Sequence, residues 1–337
     1  MFKKLRMVWE ARNWMKRNEP FLSTWHAYIG YKLDLFTVLQ TPHTLDALLA
    51  KTGYATELLT SWVDTGVVLG HLKEDGNGEI RSTRRMQKYF SKDSPTCIGE
   101  LLKEMLEMHI PALLHYPAIL QGEPKPTYGG EHYGQTVAAT SALIEQRAFP
   151  YVHKMARRLG VRRFLDIGCG SGGYLLEFAN RVGSEQGRFV GIDLNGDCIK
   201  LADSVAKASE LQNVSFHCQS FEQYQSEEKF DMTMMNNILH YYAPHTREAL
   251  IHKAASHLTD SGSLVIITPL YLERFGRRFA TAFNAFMQAH SNLYALPRKQ
   301  ELIGIAERNG FHLHTLKPII REGSWYCLVF TKQGLSD

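Results

Sequence analysis

The stretch Leu165–Gly173, Leu-Asp-Ile-Gly-Cys-Gly-Ser-Gly-Gly, leaves this chain few folding options. An apolar run (Val161, Phe164, Leu165, Ile167) precedes it, and Tyr174-Leu175-Leu176-Glu177-Phe178-Ala179 follows. That order predicts a strand, a glycine-rich turn and a helix. Glycine reaches backbone angles that other residues avoid. Lacking a Cβ, it also lets a ligand lie against the main chain, above the free N–H groups that open the next helix. The pattern points to a nucleotide-like ligand; the plainer reading is a tight turn with no ligand.

Gly168, Gly170 and Gly173 satisfy the dinucleotide pattern G-x-G-x-x-G, which is weak when it stands alone. Two features favour S-adenosylmethionine (SAM) over NAD. Asp166 sits on the strand two residues before the first glycine, where a buried acid can help hold a cationic methionyl end. The later strands also lack the repeated βαβ pattern of a second nucleotide half. Asp193 ends the next strand, Phe189-Val190-Gly191-Ile192-Asp193, where a carboxylate can accept from both ribose hydroxyls. Either cofactor would use it.

The length of 337 residues allows two domains, and 44% hydrophobic with 21% charged residues allows a sizeable core. A net charge of +4 is too mild to argue for nucleic acid by itself. Five scattered cysteines without a C-x-x-C suggest reduced thiols rather than a disulfide frame. The N-terminus has no apolar core of secretory length, and no apolar run approaches a membrane span. A cytoplasmic protein is expected.

Residues 1–19 read as an N-terminal arm, with Lys3, Lys4, Arg6, Arg12, Lys16 and Arg17 among Phe2, Leu5, Trp9 and Trp14. The arm could lie on an anionic membrane or, more plainly, pack on its own or a partner subunit. Residues 20–92 predict three helices and a hairpin, a winged helix. Phe21, Trp25, Ile29, Leu33 and Phe36 recur at helical spacing, Thr44 caps the next helix, Thr56 opens a third, and Glu74-Asp75-Gly76-Asn77-Gly78 marks the hairpin. Such a unit can read DNA. Thr52 to Gly70, however, contains no Lys or Arg and two acids, Glu57 and Asp64, so dimerisation is the expected role and nucleic-acid binding is not.

Residues 93–160 read as a helical linker, broken by Pro111, Pro117, Pro124 and Pro126, with helix returning over about Thr136–Leu159 and contributing to an acceptor pocket. Residues 161–337 alternate strand and helix, predicting a doubly wound α/β sheet with strands at 162–167, 188–193, 213–218, 230–235 and 263–268. Phe311–Leu316 and Trp325–Phe330 predict an antiparallel pair at the sheet edge.

The ordered motifs Leu165–Gly172, Asp193, and Phe230-Asp231 leading to Asn236-Asn237-Ile238-Leu239-His240 resemble those of class I SAM-dependent methyltransferases. With the winged helix in front, the chain is similar to small-molecule methyltransferases that dimerise through that domain. The resemblance implies a Rossmann-like, mostly parallel sheet with an antiparallel edge strand. It places Gly168 and Gly170 at the methionyl part, Asp193 at ribose, Ser220 and Phe221 beside adenine, and Asn236 facing the cofactor. The family often has Asp where Ser220 stands, and Phe221 is as readily a core residue.

Two chemistries stay open. In the O-methyltransferase branch a His at the place of His240 takes a hydroxyl proton, although related proteins keep Ile-Leu-His for structure alone. Here Tyr241-Tyr242 follow His240, and the fifth strand ends Ile266-Ile267-Thr268-Pro269, with no glutamate to orient the imidazole. The second chemistry adds His290. His240 and His290 together are similar to the α-keto acid C-methyltransferases, in which two His hold a metal, Fe or Zn, that chelates the substrate. That reading expects metal-assisted C-methylation of the β-carbon of an α-keto acid. A substrate carboxylate would need a cation, for which Arg147, Arg274, Arg277 and Arg278 are candidates. Tyr133, Phe149, Tyr241, Phe283, Phe286 and Tyr294 would suit an aromatic acceptor or a core. A SAM-sensing or DNA-binding protein without catalysis, and an NAD oxidoreductase, are the readings from other classes.

Overall fold

The computed structural model describes residues 2–129, 134–182 and 187–332. The chain divides into two units, Met1–Pro111 and Ala112–Asp337, so the boundary falls inside the stretch read as a linker. Tyr133 and the last five residues lie outside the described residues.

In the first unit the arm and the following helix are one element. A 31-residue helix runs Phe2–Lys32 through Pro20. A proline there forfeits one backbone bond, but the preceding Lys16, Arg17 and Glu19 favour helix, and the Thr24 hydroxyl donates to the Pro20 carbonyl at 3.1 Å. Phe2, Leu5, Trp9, Trp14 and Met15 on this helix are exposed. The expected order follows: helices Leu45–Thr52 and Thr56–Val68, then strands β1 (Leu72–Glu74) and β2 (Ile80–Ser82) in an antiparallel hairpin. The Thr44 hydroxyl caps the first of these helices by accepting from the Ala47 N–H at 3.3 Å. Phe36, Leu39, Leu48, Trp62, Leu72 and Ile80 form the core.

The second unit is a seven-stranded sheet built from β3 (Arg163–Ile167), β4 (Arg188–Asp193), β5 (Val214–Cys218), β6 (Phe230–Asn236), β7 (Leu258–Pro269), β8 (Phe311–Ile320) and β9 (Trp325–Lys332). The spatial order is β5-β4-β3-β6-β7-β9-β8. The first five of these are parallel; β9 runs antiparallel to β7, and β8 pairs outside it. Strands covered on both faces read as nearly continuous apolar runs, as β6 and β7 do. Alternation still sorts them: Phe164, Met232, Met234, Val265 and Ile267 face one core, whereas Leu165, Ile167, Met235, Leu264 and Ile266 face the other. The chain moves outward from β3 to β4 and β5, then returns to β6 on the other side of β3. That reversal opens a crevice at the carboxyl ends of β3 and β6, where such sheets bind ligands. Among the described residues, no helix is long and apolar enough to cross a membrane.

Candidate active site

The glycine turn leaves β3 into that crevice. The Gly168 and Cys169 N–H groups both donate to the Ile192 carbonyl, at 2.8 and 3.0 Å, which pins the turn to β4. Gly170 has φ +53, and a Cβ there would meet nothing within 4 Å, so its main chain borders open space. Its N–H donates to Asp193 Oδ2 at 2.8 Å, while Oδ1 accepts from the Asn195 N–H at 2.8 Å. Each oxygen keeps capacity for a further donor. Gly168 lies against Ile238, so the turn and the loop after β6 touch.

Asp166 falls on the same face of the sheet as Phe164. It is 1% exposed, and its Oδ1 has no hydrogen-bond partner among the described residues. Burial, then the charges of Glu145 and Asp193, hold its carboxyl well above the usual carboxylate range. Glu145, on the helix Gly134–Arg158, touches the place where a Gly173 side chain would begin. Burial pushes its carboxyl up to about 7. The Tyr174 hydroxyl, in the first turn after the glycines, and Asn236 Oδ1, at the end of β6 on the face of Met232 and Met234, are likewise buried without partners. Buried polar groups seldom stay unpaired. Three carboxyls and these orphaned atoms at one sheet edge suit a ligand that carries a cation and several polar groups. The fit extends to SAM: Asp166 and Glu145 can receive an ammonium group, Asp193 two hydroxyls, and the Gly170 main chain offers room.

Ser220 follows β5, which is in register with the Asp193 end of β4. Its carbonyl accepts from the Gln223 and Tyr224 N–H groups, at 3.1 and 3.2 Å, so it sits in a turn. Phe221 is 3% exposed, near-parallel to Tyr224 at 6.4 Å, and has the Lys253 ammonium over its ring at 5.4 Å.

His240 lies in the short helical turn Leu239–Tyr241 after β6 and is 3% exposed. Among the described residues its Nδ1 has no hydrogen-bond partner. Burial, and secondarily the Arg247 charge, pull its pKa down to about 3, so the imidazole is neutral at pH 7. His290 follows the helix Arg277–Gln288, with Nδ1 2.9 Å from the Phe286 carbonyl. The two imidazoles flank one aromatic stack: His240 meets Phe283 at 6.4 Å, Phe283 stacks on Phe286 at 5.9 Å, and Phe286 meets His290 edge-on at 4.8 Å. Among the described residues no group of three or more His, Cys, Asp or Glu side chains is placed to hold a metal. Two imidazoles are fewer than the three protein ligands usual in open catalytic zinc sites, so Fe or Zn held here would take its remaining ligands from a chelating substrate. Arg147, Arg274, Arg277 and Arg278 are all exposed.

The sequence reading missed Arg247. It is fully buried and ties three segments: Nε donates to the Leu239 carbonyl at 3.2 Å, Nη1 pairs with Glu301 at 2.8 Å, and Nη2 donates to the Ala295 carbonyl. Nothing local in Thr246-Arg247-Glu248 distinguishes it from a surface residue. Tyr128 was also missed. Its ring stands edge-on to His290 at 5.4 Å, and its main chain exchanges hydrogen bonds of 2.8 and 2.7 Å with the Asn292 side chain.

Comparison with known proteins bears on this geometry. Residues 161–310 match the family described as a methyltransferase domain. None of the curated proteins matches the chain by sequence. An O-methyltransferase family protein from Burkholderia thailandensis has a similar structure: TM-score 0.75 and 18% identity, over 97% of this chain and 99% of that one. Human N-acetylserotonin methyltransferase, solved in complex with SAM, gives TM-score 0.76 and 16% identity, over 96% and 98%. A structure described as a pericyclic reaction enzyme gives TM-score 0.70 and 15% identity, over 98% and 92%. Residues 161–310 are thus similar to a methyltransferase domain, and the chain has the fold of the class I SAM-dependent methyltransferases.

Proposed function

We propose that this protein methylates a hydroxyl group of a small molecule, with SAM as donor. The observation that carries the reading is the buried Asp166 carboxyl beside Gly168–Gly170, its Oδ1 without a partner among the described residues, with Asp193 held by the Gly170 N–H at 2.8 Å. Bound there, SAM supplies an electrophilic methyl group. Asp166 and Glu145 take the ammonium end, Asp193 takes the ribose hydroxyls, and Asn236 orients the donor from β6. Ser220 lies toward the base, and Phe221 supports that wall from the core.

His240 presents a neutral imidazole beyond β6 and accepts the acceptor's hydroxyl proton as attack proceeds. Burial at a pKa of about 3 makes it a weak base by itself; contact with a partly ionised hydroxyl raises it. The stack Phe279, Phe283 and Phe286, spaced 5.5 and 5.9 Å, supplies a wall suited to an aromatic acceptor. Positioning against this wall accounts for much of the acceleration such reactions need. Dimerisation through the first unit is supported by the exposed Phe2, Leu5, Trp9 and Trp14.

C-methylation of an α-keto acid with a metal on His240 and His290 is the second reading. It is supported by the His290 Nδ1 contact with the Phe286 carbonyl, a bond that metal-binding imidazoles commonly make. One experiment separates the readings. Phenols and keto acids are incubated with SAM, with and without chelator, and products are identified by mass. Methylated phenols insensitive to chelator support O-methylation. Chelator-sensitive methylated keto acids support the second reading, and an altered acceptor without added methyl contradicts both.

A further inference from the structure

The first unit contains a hydrogen-bonded chain whose proton positions are fully determined. His26 Nε2 lies 2.9 Å from the Trp62 carbonyl, His26 Nδ1 lies 2.9 Å from His71 Nδ1, and His71 Nε2 lies 3.1 Å from Ser23 Oγ. A carbonyl only accepts, so His26 Nε2 carries the proton. Burial keeps His26 neutral, with a pKa of about 4, so its Nδ1 accepts. His71 must then donate from Nδ1, and its Nε2 accepts the Ser23 hydroxyl proton. Burial, and then the charge of Arg85, keep His71 neutral too.

The frame is rigid. The His26 ring lies parallel to Trp62, with centroids 4.5 Å apart and planes within 6°, and Trp62 Nε1 returns a 3.3 Å bond to the His26 carbonyl. Ser23, His71 and Arg85 line a cavity of about 240 Å³, with Ala27, Met86 and Phe90 among its apolar walls. At ~30 Å³ per water-sized group, that holds about eight such groups. A hydroxyl that gives its proton to an imidazole, an imidazole fixed in one tautomer by a third group, and a cation facing the same cavity form the nucleophile, base, orienter and anion stabiliser of an acyl-transfer site.

We propose that Ser23 is a nucleophile toward short-chain acyl esters, activated by His71, in a site separate from the methyltransferase crevice. Ser23 Oγ bonds to the carbonyl carbon as its proton passes to His71 Nε2. The carbonyl electron pair moves to oxygen, which the Arg85 guanidinium stabilises. Collapse breaks the bond to the alcohol oxygen, which leaves with the proton from His71. Water, deprotonated by the same nitrogen, then releases the carboxylic acid and restores the Ser23 hydroxyl. His26 is a positioning residue.

The test uses the full chain. Wild-type protein is treated with diisopropyl fluorophosphate and digested for peptide mass analysis, and p-nitrophenyl butyrate hydrolysis is measured for wild type, Ser23→Ala and His71→Gln. The proposal expects a single phosphoryl adduct on Ser23 and at least a 100-fold loss of hydrolysis in each variant. An unmodified Ser23 in the wild type overturns it. So does a rate that His71→Gln leaves unchanged. Should either variant melt early, the adduct map decides, since it needs no variant.

Discussion

The main-chain N–H of Tyr294 donates to the carbonyl oxygen of His240 at 2.8 Å. This bond joins the loop after β6 to the segment that follows His290. Arg247 doubles the tie by donating to the carbonyls of Leu239 and Ala295 on the same two strands of chain. His240 is therefore held through its backbone, while among the described residues its Nδ1 has no hydrogen-bond partner.

Replacing Arg247 by Met should expose how much depends on that tie. It leaves two carbonyls and the partly buried Glu301 without their donor. Breaking a buried ion pair from one side costs about 3–5 kcal/mol. The expected outcome is a clear loss in chemical denaturation, together with a kcat loss larger than the change in SAM affinity. Arg247→Lys should rescue little, because one ammonium cannot reach three acceptors in a planar fork.

Two glycines of the turn should respond differently to alanine. Gly172 has φ +78, and a Cβ there would stand 2.6 Å from the Phe216 ring and 3.3 Å from Ala202. Strain and overpacking each cost about 1–3 kcal/mol, so Gly172→Ala should lower the melting temperature. Gly170→Ala adds a methyl to open space at φ +53, costing roughly 1–2 kcal/mol of backbone strain. Its larger effect should be on ligand affinity, by about tenfold or more in calorimetry, because the methyl intrudes where the ligand lies.

Glu145 sets a pH dependence for cofactor binding. With its pKa raised to about 7 by burial, the carboxyl is mostly neutral at pH 6 and mostly ionised at pH 8. An ammonium ligand favours the ionised form. Affinity for SAM should therefore tighten as pH rises through 7, with protons released on binding at pH 6. Titrations in buffers of different ionisation enthalpy would measure that release, and Glu145→Gln should abolish the part of the slope that falls near pH 7.

The sequence made the glycine turn, Asp166 and Asp193 legible because strand, turn and helix are contiguous there, so the local pattern carries the geometry. The parallel strands were readable for the same reason: β3, β6 and β7 are short apolar runs between turn signals. Arg247 and Glu145 were not, because their roles arise from packing against Glu301, Ala295 and Gly173, distant in sequence. Each lies in an ordinary helical pattern. The separation of arm from first helix also failed at Pro20, where favourable flanking residues outweighed the lost backbone bond. His240 and His290 flank one aromatic stack that no local pattern announces, and the number of nearby donors, which decides whether a metal fits, depends on the whole fold.

The most direct measurement is a calorimetric titration of the purified protein with SAM, wild type beside Asp193→Ala. One SAM per chain is expected in the wild type, with an affinity about 10- to 100-fold weaker in the variant, equivalent to ~1.4–2.8 kcal/mol. No binding by a folded wild type, or equal affinity in the two proteins, would contradict it.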